Sequence, residues 1–489
     1  MKKLFFLASA LLFTSTMSVS ARVYVQTANE ADPRWTVSLG ENDKLITFTS
    51  VADLPTTECK EIWFAGGTYV FDKTFAIAQI DAVLAGGFSG TETSLDERQL
   101  LEDGEAWEFT HETIIDGGGN VKLFADSKRT SFDGLTMKNA SVSGNGAICR
   151  LSNGIDNNGL EHAPFVKNCK CMSNKATGQG GCFTMFSLNA DVVTPIVIEN
   201  CYFDNNVAGT QGGAIYANLN ACQLLIRGCY FKDNSATGTS NAGGAIHAQN
   251  NGVLTVEGCF FDGNTAKGQG TALSNDTKTG ESLVFNNVFV HNGAESVSKC
   301  VVLMVTGDFY YNTIVESYGD ALWQKAGNVK NNVFYATTLA KAHANIEAAA
   351  VYTNNAGVQA WAEGADATNI VISLNNKPAE GDAEGTKYAY FADPDNHDFA
   401  LQEGSALIKA GVAIETITTD IDGEQRKTAD IGAYAYEGTG TAVENIAKPA
   451  VDIRAALEAG EVYNILGQRV SDIQAGNIYI VSGQKMLVR

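Results

Sequence analysis

Val166-Lys-Asn-Cys-Lys-Cys-Met-Ser-Asn174, Ile198-Glu-Asn-Cys-Tyr-Phe-Asp-Asn-Asn206, Ile226-Arg-Gly-Cys-Tyr-Phe-Lys-Asp-Asn234 and Val256-Glu-Gly-Cys-Phe-Phe-Asp-Gly-Asn264 are one phrase written four times. Its cysteines, Cys169, Cys201, Cys229 and Cys259, recur after 32, 28 and 30 residues, a period that belongs to solenoids, propellers and arrays. A glycine phrase follows each copy: Gly180-Gly-Cys-Phe183, Gly212-Gly-Ala-Ile215, Gly243-Gly-Ala-Ile246 and the weaker Gly270-Thr-Ala-Leu273. Degenerate copies continue as Asn286-Asn-Val-Phe289, Tyr311-Asn-Thr-Ile314 and Asn331-Asn-Val-Phe334.

Within one phrase, Ile226, Cys229 and Phe231 can share a face only if the chain bends near Gly228. The implied local form is strand, corner, strand. A unit this small cannot bury its own apolar face, but units stacked in parallel about 4.8 Å apart build one continuous core. The reading is an all-β fold, a right-handed parallel β-helix (solenoid), with handedness taken from the general chirality of parallel crossovers. Two columns follow from the stacking. Asn174, Asn206, Asn234 and Asn264 each stand three residues beyond an inward residue, Cys171, Phe203, Phe231 or Phe261, at a corner where Asn tolerates left-handed backbone; they predict an asparagine ladder. Lys167, Glu199, Arg227 and Glu257 point outward with alternating sign and predict cross-coil pairs, each contributing roughly 0.2–1 kcal/mol.

The rest of the composition agrees. The chain has 489 residues, with 45% hydrophobic and 18% charged, which excludes a wholly disordered protein. Its 49 glycines against 7 prolines favour many short strands. A formal charge of −21 repels nucleic acid and leaves neutral glycans, proteins or divalent cations as partners. Lys2 and Lys3, the apolar Leu4 to Phe13 and the small residues Val19-Ser-Ala21 read as a signal peptide over 1–21, cleaved before Arg22. Export to the outer cell surface or medium is expected. No later apolar run approaches the roughly 20 residues of a transmembrane segment. The ten cysteines read mainly as small core residues, with a crosslink through Cys182 or Cys222 left open.

The paired phrases Gly-Gly-Ala-Ile and Phe-x-x-Asn resemble the repeats of the chlamydial polymorphic outer membrane proteins and, more broadly, of secreted bacterial parallel β-helix proteins of the pectate-lyase-like superfamily. The resemblance covers 165–275 well and about 60–340 loosely. It implies surface display and adhesion, although the chlamydial membrane barrel has no counterpart here. Glu61 to Tyr69, Ala85 to Arg98 and Thr113 to Gly119 resemble opening coils of exported β-helices, so 22–60 is expected as an N-terminal cap and 61–338 as the β-helix. Residues 339–390 lose the repeat and suggest a longer excursion. Phe391 to Leu401, Gly404 to Gly411 and Asp420 to Tyr434 resemble a closing module, giving a C-terminal cap over 339–437. A linker over 438–450 leads to 451–489, which resembles, in shortened form, the sorting domain of the type IX secretion system of Bacteroidota. That resemblance implies a small C-terminal β domain read by secretion machinery.

Chemistry is sparse. The Asn-Thr-Asp, Asp-Asp and Gly-His-Gly motifs of polygalacturonases and the Trp-Ile-Asp-His setting of pectate lyases do not occur. Asn292-Gly-Ala-Glu295 resembles a short motif of alginate and chondroitin lyases but continues a degenerate repeat. Arg227 could serve as a lyase base, against a structural role between Glu199 and Glu257. The histidines His111, His162, His247, His291, His343 and His397 show no metal-binding spacing, so no metal site is expected from them. Asp393, Asp395 and Asp398, or Asp420 and Asp422, could hold calcium or simply form turns. The binding candidates are two outward rows, Tyr202, Tyr230 and Phe260, then Thr184, Tyr216, His247 and Ser274. Aromatic faces repeating along a coil could stack on sugars or anchor a protein loop, or stack on each other. The favoured function is a non-catalytic adhesin or glycan- or protein-binding module. The alternative is a polysaccharide lyase or glycoside hydrolase acting on acidic or host glycans.

Overall fold

The structure is a computed structural model. It describes residues 22–436, apart from 56–58, 78–81, 127–129, 156–158, 187–188, 295–298, 336–343, 359–360, 362–365 and 374–387, together with strands at 462–464, 478–481 and 484–487. The expected signal peptide, the linker, His343 and Glu295 lie outside the described residues.

One coil shows how the phrase folds. Ile215–Asn218 and Gln223–Arg227 lie in a broad parallel sheet, the chain bends at Gly228 (φ 58°), and Tyr230–Lys232 enters a second parallel sheet. A further bend at Asp233 (φ 51°) leads through Asn234 to the short strand Ser235–Ala236 of a third sheet. The next coil repeats this in register, with Ile226 opposite Val256 and Phe231 opposite Phe261. The phenylalanines stack face to face along the core, Phe203 on Phe231 at 4.8 Å, Phe231 on Phe261 at 4.9 Å and Phe261 on Phe289 at 4.6 Å. The chain is therefore a parallel β-helix.

The glycine phrase has a steric cause. Gly212 and Gly243 need positive φ (66° and 60°), and a Cβ on Gly213 would lie 1.8 Å from the carbonyl oxygen of Gly244 in the next coil. The turn thus brings backbone against backbone, which only glycine allows.

The asparagines are fully buried and bonded in series. Nδ2 of Asn174, Asn206 and Asn234 donates to Oδ1 of the next at 3.0, 2.9 and 3.0 Å, and Asn264 continues to Asn292 at 3.0 Å. Each side chain also accepts from the backbone N–H of the coil before, as Asn234 does from Asn206. Left-handed backbone belongs to the residue before the ladder position, namely Ser173, Asn205, Asp233 and Gly263, and the asparagines themselves do not adopt it. The cysteine column makes a parallel series. Sγ of Cys201 and Cys229 reaches the carbonyl two residues back at 3.1 and 3.3 Å. In the later coils the same position is Asn287, Asn312, Asn332 and Asn355, a second ladder joined to the first column where Cys259 N–H donates to Asn287 Oδ1 at 2.9 Å. All ten cysteines are free and buried.

Both ends differ from expectation. Residues 22–60 are part of the stack, since Arg22–Thr27 pairs in parallel with Lys44–Phe48 and with Glu61–Ala65. Coiling also continues past 338. Ala344–Thr353 pairs in parallel with Leu322–Lys330, and Asn355 and Asn369 extend the ladder. The Ala-rich sequence there hides a coil because the ladder asparagines survive while the inward aromatic, Phe334 in the coil before, gives way to Gly357. The module over 390–436 packs along the side of the second sheet, against Val288, Val290, Val315, Val333 and Tyr335. Arg426 fastens it, donating to Asn286 Oδ1 at 2.8 Å and to the carbonyls of Gly432 and Ala433, with its guanidinium 4.0 Å from the ring of Tyr311.

Residues 437–489 form a separate compact unit. Its described strands, Val462–Asn464, Ile478–Val481 and Gln484–Leu487, make an antiparallel sheet, consistent with a small C-terminal β domain. No helix among the described residues is long and apolar enough to cross a membrane.

Candidate binding face and side-chain cluster

The outer face of the second sheet changes character along the coils. Two outward columns run through it, Lys170, Tyr202, Tyr230, Phe260 and Val288, and beside them Met172, Asp204, Lys232, Asp262 and Val290. From Val288 onward the closing module covers this face. Trp107, in the excursion after the early coils, lies over the other end and stacks on Tyr202 at 5.9 Å. Between Trp107 and the module a window of half-buried side chains stays open: Tyr202, Tyr230 and Phe260 with Asp204 and Lys232.

The rings in this window lie mostly against each other. Tyr202 meets Tyr230 at 5.7 Å, Tyr230 stacks on Phe260 at 5.0 Å, and Phe260 meets His397 of the closing module at 5.7 Å. What the row offers outward is ring edges and the tyrosine hydroxyls. Burial, followed by the fields of Asp204 and Asp233, pushes the Tyr202 hydroxyl up to about 12, so it stays a neutral donor. Burial, then Asp262, likewise raises Tyr230. Burial also lifts the Asp204 carboxyl; Asp233 adds to this and Lys232 opposes it.

The second expected row is closed. Thr184, Tyr216, His247 and Ser274 do point away from the core, yet Thr184, His247 and Ser274 are fully buried and Tyr216 is 2% exposed. The glycine turns and a row of polar side chains fold over them: Gln179 Nε2 donates to Gln211 Oε1 at 3.0 Å, and Gln211 Nε2 lies 3.4 Å from His247 Nε2. Tyr216 and His247 stack together at 5.5 Å, and burial holds the imidazole below its usual value. These residues form an inner layer that no large ligand reaches, which removes Tyr216 and His247 from the binding face. Strand alternation placed them outward correctly; it carries no information about the turn that covers them.

At the module end of the window the fold assembles a group that sequence spacing does not show. Asp262, at the end of strand Phe260–Asp262, His291, at the next corner, and His397, from the closing module, bring ligand-type atoms within 4.8 Å of one another. His291 Nδ1 is 3.2 Å from Asp262 Oδ1 and its Nε2 is 3.4 Å from Glu316 Oε2, while His397 Nδ1 is 4.0 Å from Asp262 Oδ2. Tyr230 donates to Asp262 Oδ2 at 3.2 Å. The hydrogen bonds to Asp262 and Glu316 raise His291 to about 9. Burial would raise Asp262, but its bond to His291 and the field of His397 outweigh that and hold its carboxyl low.

The aspartates considered for calcium are engaged in turns. Asp420 accepts from the N–H groups of Asp422, Glu424 and Ala435, Asp393 from Asn396, Asp395 from Tyr388, and Asp398 from Ala400.

The charged column behaves as a network on its first three members. Glu199 lies 3.0 Å from Lys167 Nζ and 2.6 Å from Arg227 Nε. Burial would lift its carboxyl, and the bonds to Arg227 and Lys167 outweigh that and lower it. Glu257 stands opposite Arg227 in register, but its carboxyl is raised by burial, which Arg227 only partly offsets. Glu199, Arg227 and Glu257 line a pocket of about 240 Å³ beneath the module loop Thr419 to Gly423.

The Chlamydia polymorphic membrane protein repeat matches residues 200–218, one coil corner and its glycine turn. Among solved structures, the chain is similar to the crystal structure of pectate lyase Pel9A at 13% identity, with a TM-score of 0.44, over 86% of this chain and 97% of that one. No curated protein is similar to the chain in sequence.

Proposed function

We propose that this is an exported, surface-displayed β-helix that binds a neutral glycan at the window between Trp107 and the closing module, through Tyr202, Tyr230 and the carboxylates beside them. The observation that carries the reading is the row Trp107, Tyr202, Tyr230 and Phe260, half-buried and open between two covering segments. Ring edges give apolar contact to the C–H face of a sugar, and the tyrosine hydroxyls with Asp204 supply donors and acceptors for its hydroxyls. The carboxylates Asp204 and Asp233 oppose a polyuronate. A protein loop is the other ligand of the same chemistry. Delivery through the type IX machinery, read from the C-terminal unit, belongs to the same proposal, with surface attachment as its outcome.

A glycan array probed with the full chain tests it. Binding to neutral glycans that falls at least tenfold in the double variant Tyr202→Ala, Tyr230→Ala supports the reading. Binding unchanged in that variant removes the row from the site.

A second reading, a lyase or hydrolase, draws on Arg227 in its pocket beside Glu257. Its ion pair with Glu199 favours a structural cation. Release of unsaturated uronates or reducing ends from a polyuronate panel would establish this reading in place of the first.

A further inference from the structure

The group at the module end of the window has a composition not repeated among the described residues: two imidazoles and one carboxylate, gathered from two successive coils and from the module packed against them. We propose that Asp262, His291 and His397 bind a divalent first-row transition metal of the zinc type, and that the ion clamps the closing module to the coil stack. Imidazole and carboxylate together suit such metals, and three protein ligands leave coordination open to solvent. Calcium, which prefers all-oxygen sites, does not fit two imidazoles.

The spacing is close to what an ion needs. Ligand atoms around a tetrahedral ion with bonds of about 2.1 Å stand roughly 3.4 Å apart. The separation of Asp262 Oδ1 and His291 Nδ1, 3.2 Å, already matches; His397 Nδ1 lies 4.0 Å from the other carboxylate oxygen, Oδ2, and one ligand atom from each residue falls within 4.8 Å of the others, so the set closes inward on the ion as it binds. The surroundings are also those of a ligand set. With Nδ1 of His291 on the metal, its Nε2–H points at Glu316 Oε2, 3.4 Å away, the carboxylate–histidine arrangement that fixes a ligating ring. The Tyr230 hydroxyl orients the Asp262 carboxylate in the same way. On binding, the ion takes the place of any proton on Nδ1 of His291, which passes to solvent.

The cluster joins parts of the chain held otherwise by apolar packing, by Arg426 and by hydrogen bonds such as those of Tyr311 and Asn331 to the Val412 carbonyl and of Ala433 N–H to Thr313, so loading should be visible as stability as well as stoichiometry. The full chain, stripped with chelator, is titrated with Zn2+ by calorimetry, with Ca2+ as a comparison, and separately with Co2+ followed by visible absorption. The expected result is one equivalent of Zn2+ per chain, Co2+ ligand-field bands, and a thermal midpoint that rises with Zn2+. His397→Asn, which keeps a residue suited to the left-handed backbone there (φ 63°), should abolish all of these. Glu316→Gln should weaken binding by about 10–100-fold while keeping the bands. His111→Ala should change nothing. No saturable Zn2+ binding, or binding and bands undiminished in His397→Asn, overturns the assignment. Neither result depends on whether any glycan binds.

Discussion

Asn234→Ala is the sharpest test of what holds the coils in register. The Asn234 side chain donates to the carbonyl of Phe203 at 2.9 Å and to Asn264 Oδ1 at 3.0 Å, and it accepts from the backbone N–H and Nδ2 of Asn206 at 3.1 and 2.9 Å. Water does not reach it, since Asn234 is fully buried. Truncation leaves the Asn206 N–H without an acceptor, at a cost of about 1–3 kcal/mol, and removes three further bonds of about 0.5–1.5 kcal/mol each. Asn206 Nδ2 keeps its bond to the Cys171 carbonyl at 2.8 Å, which limits the damage. The sum is about 2.5–7.5 kcal/mol, a large share of the roughly 5–15 kcal/mol that a domain possesses. Urea denaturation gives the magnitude. Hydrogen exchange of the peptide containing Asn206 gives the location, with the amide exchanging faster in the variant. Lys175→Ala, at an exposed position one residue beyond the first ladder asparagine, should stay within about 0.5 kcal/mol. An Asn234→Ala loss below about 1 kcal/mol, with Asn206 still protected, would refute the ladder as a source of stability.

Two further predictions concern backbone and charge. Gly213→Ala, whose Cβ would press on the Gly244 carbonyl, should sharply lower the thermal midpoint, whereas Gly154→Ala, with open space around it, should not; equal midpoints would contradict the close turn. The two carboxylates beside Arg227 should respond to pH in opposite directions. Glu199 is held below its ordinary value near 4.5, so its contribution is present above that pH and lost as pH falls through its folded value; Glu199→Gln should flatten the acid limb of a stability–pH curve. Glu257 is raised above 4.5, so its contribution is present below that pH and lost as pH rises through its folded value; Glu257→Gln should gain stability at pH 7 relative to pH 4, and a matching loss would contradict the burial argument.

The coil was legible because its constraints are local and repeated. A bend at Gly228, an inward Phe231 and a buried Asn234 can be read from nine residues, and the next coil reads the same way. The second ladder was present in the phrases at Asn286, Tyr311 and Asn331, but its relation to the cysteine column is not a sequence pattern. A thiol and a carboxamide share little in hydropathy, and only the common bond to the carbonyl two residues back equates them. The lateral position of the closing module had a signal as well. Tyr-Phe-Asp and Phe-Phe-Asp in the middle coils become Val288-Phe-Val, Thr313-Ile-Val and Val333-Phe-Tyr, and loss of polar alternation means both faces are covered. The cluster of Asp262, His291 and His397 had none, because its members come from separate coils and from a module whose docking the repeat does not encode. The burial of Tyr216 and His247 is likewise a property of the turn above them.

Oxidative footprinting of the full chain with and without a bound neutral glycan tests the central claim most directly. The account predicts that the ligand protects Trp107, Tyr202 and Tyr230 and leaves Trp323, on the broad sheet, as reactive as before. Protection of Trp323 with Trp107 and Tyr202 unchanged would contradict it.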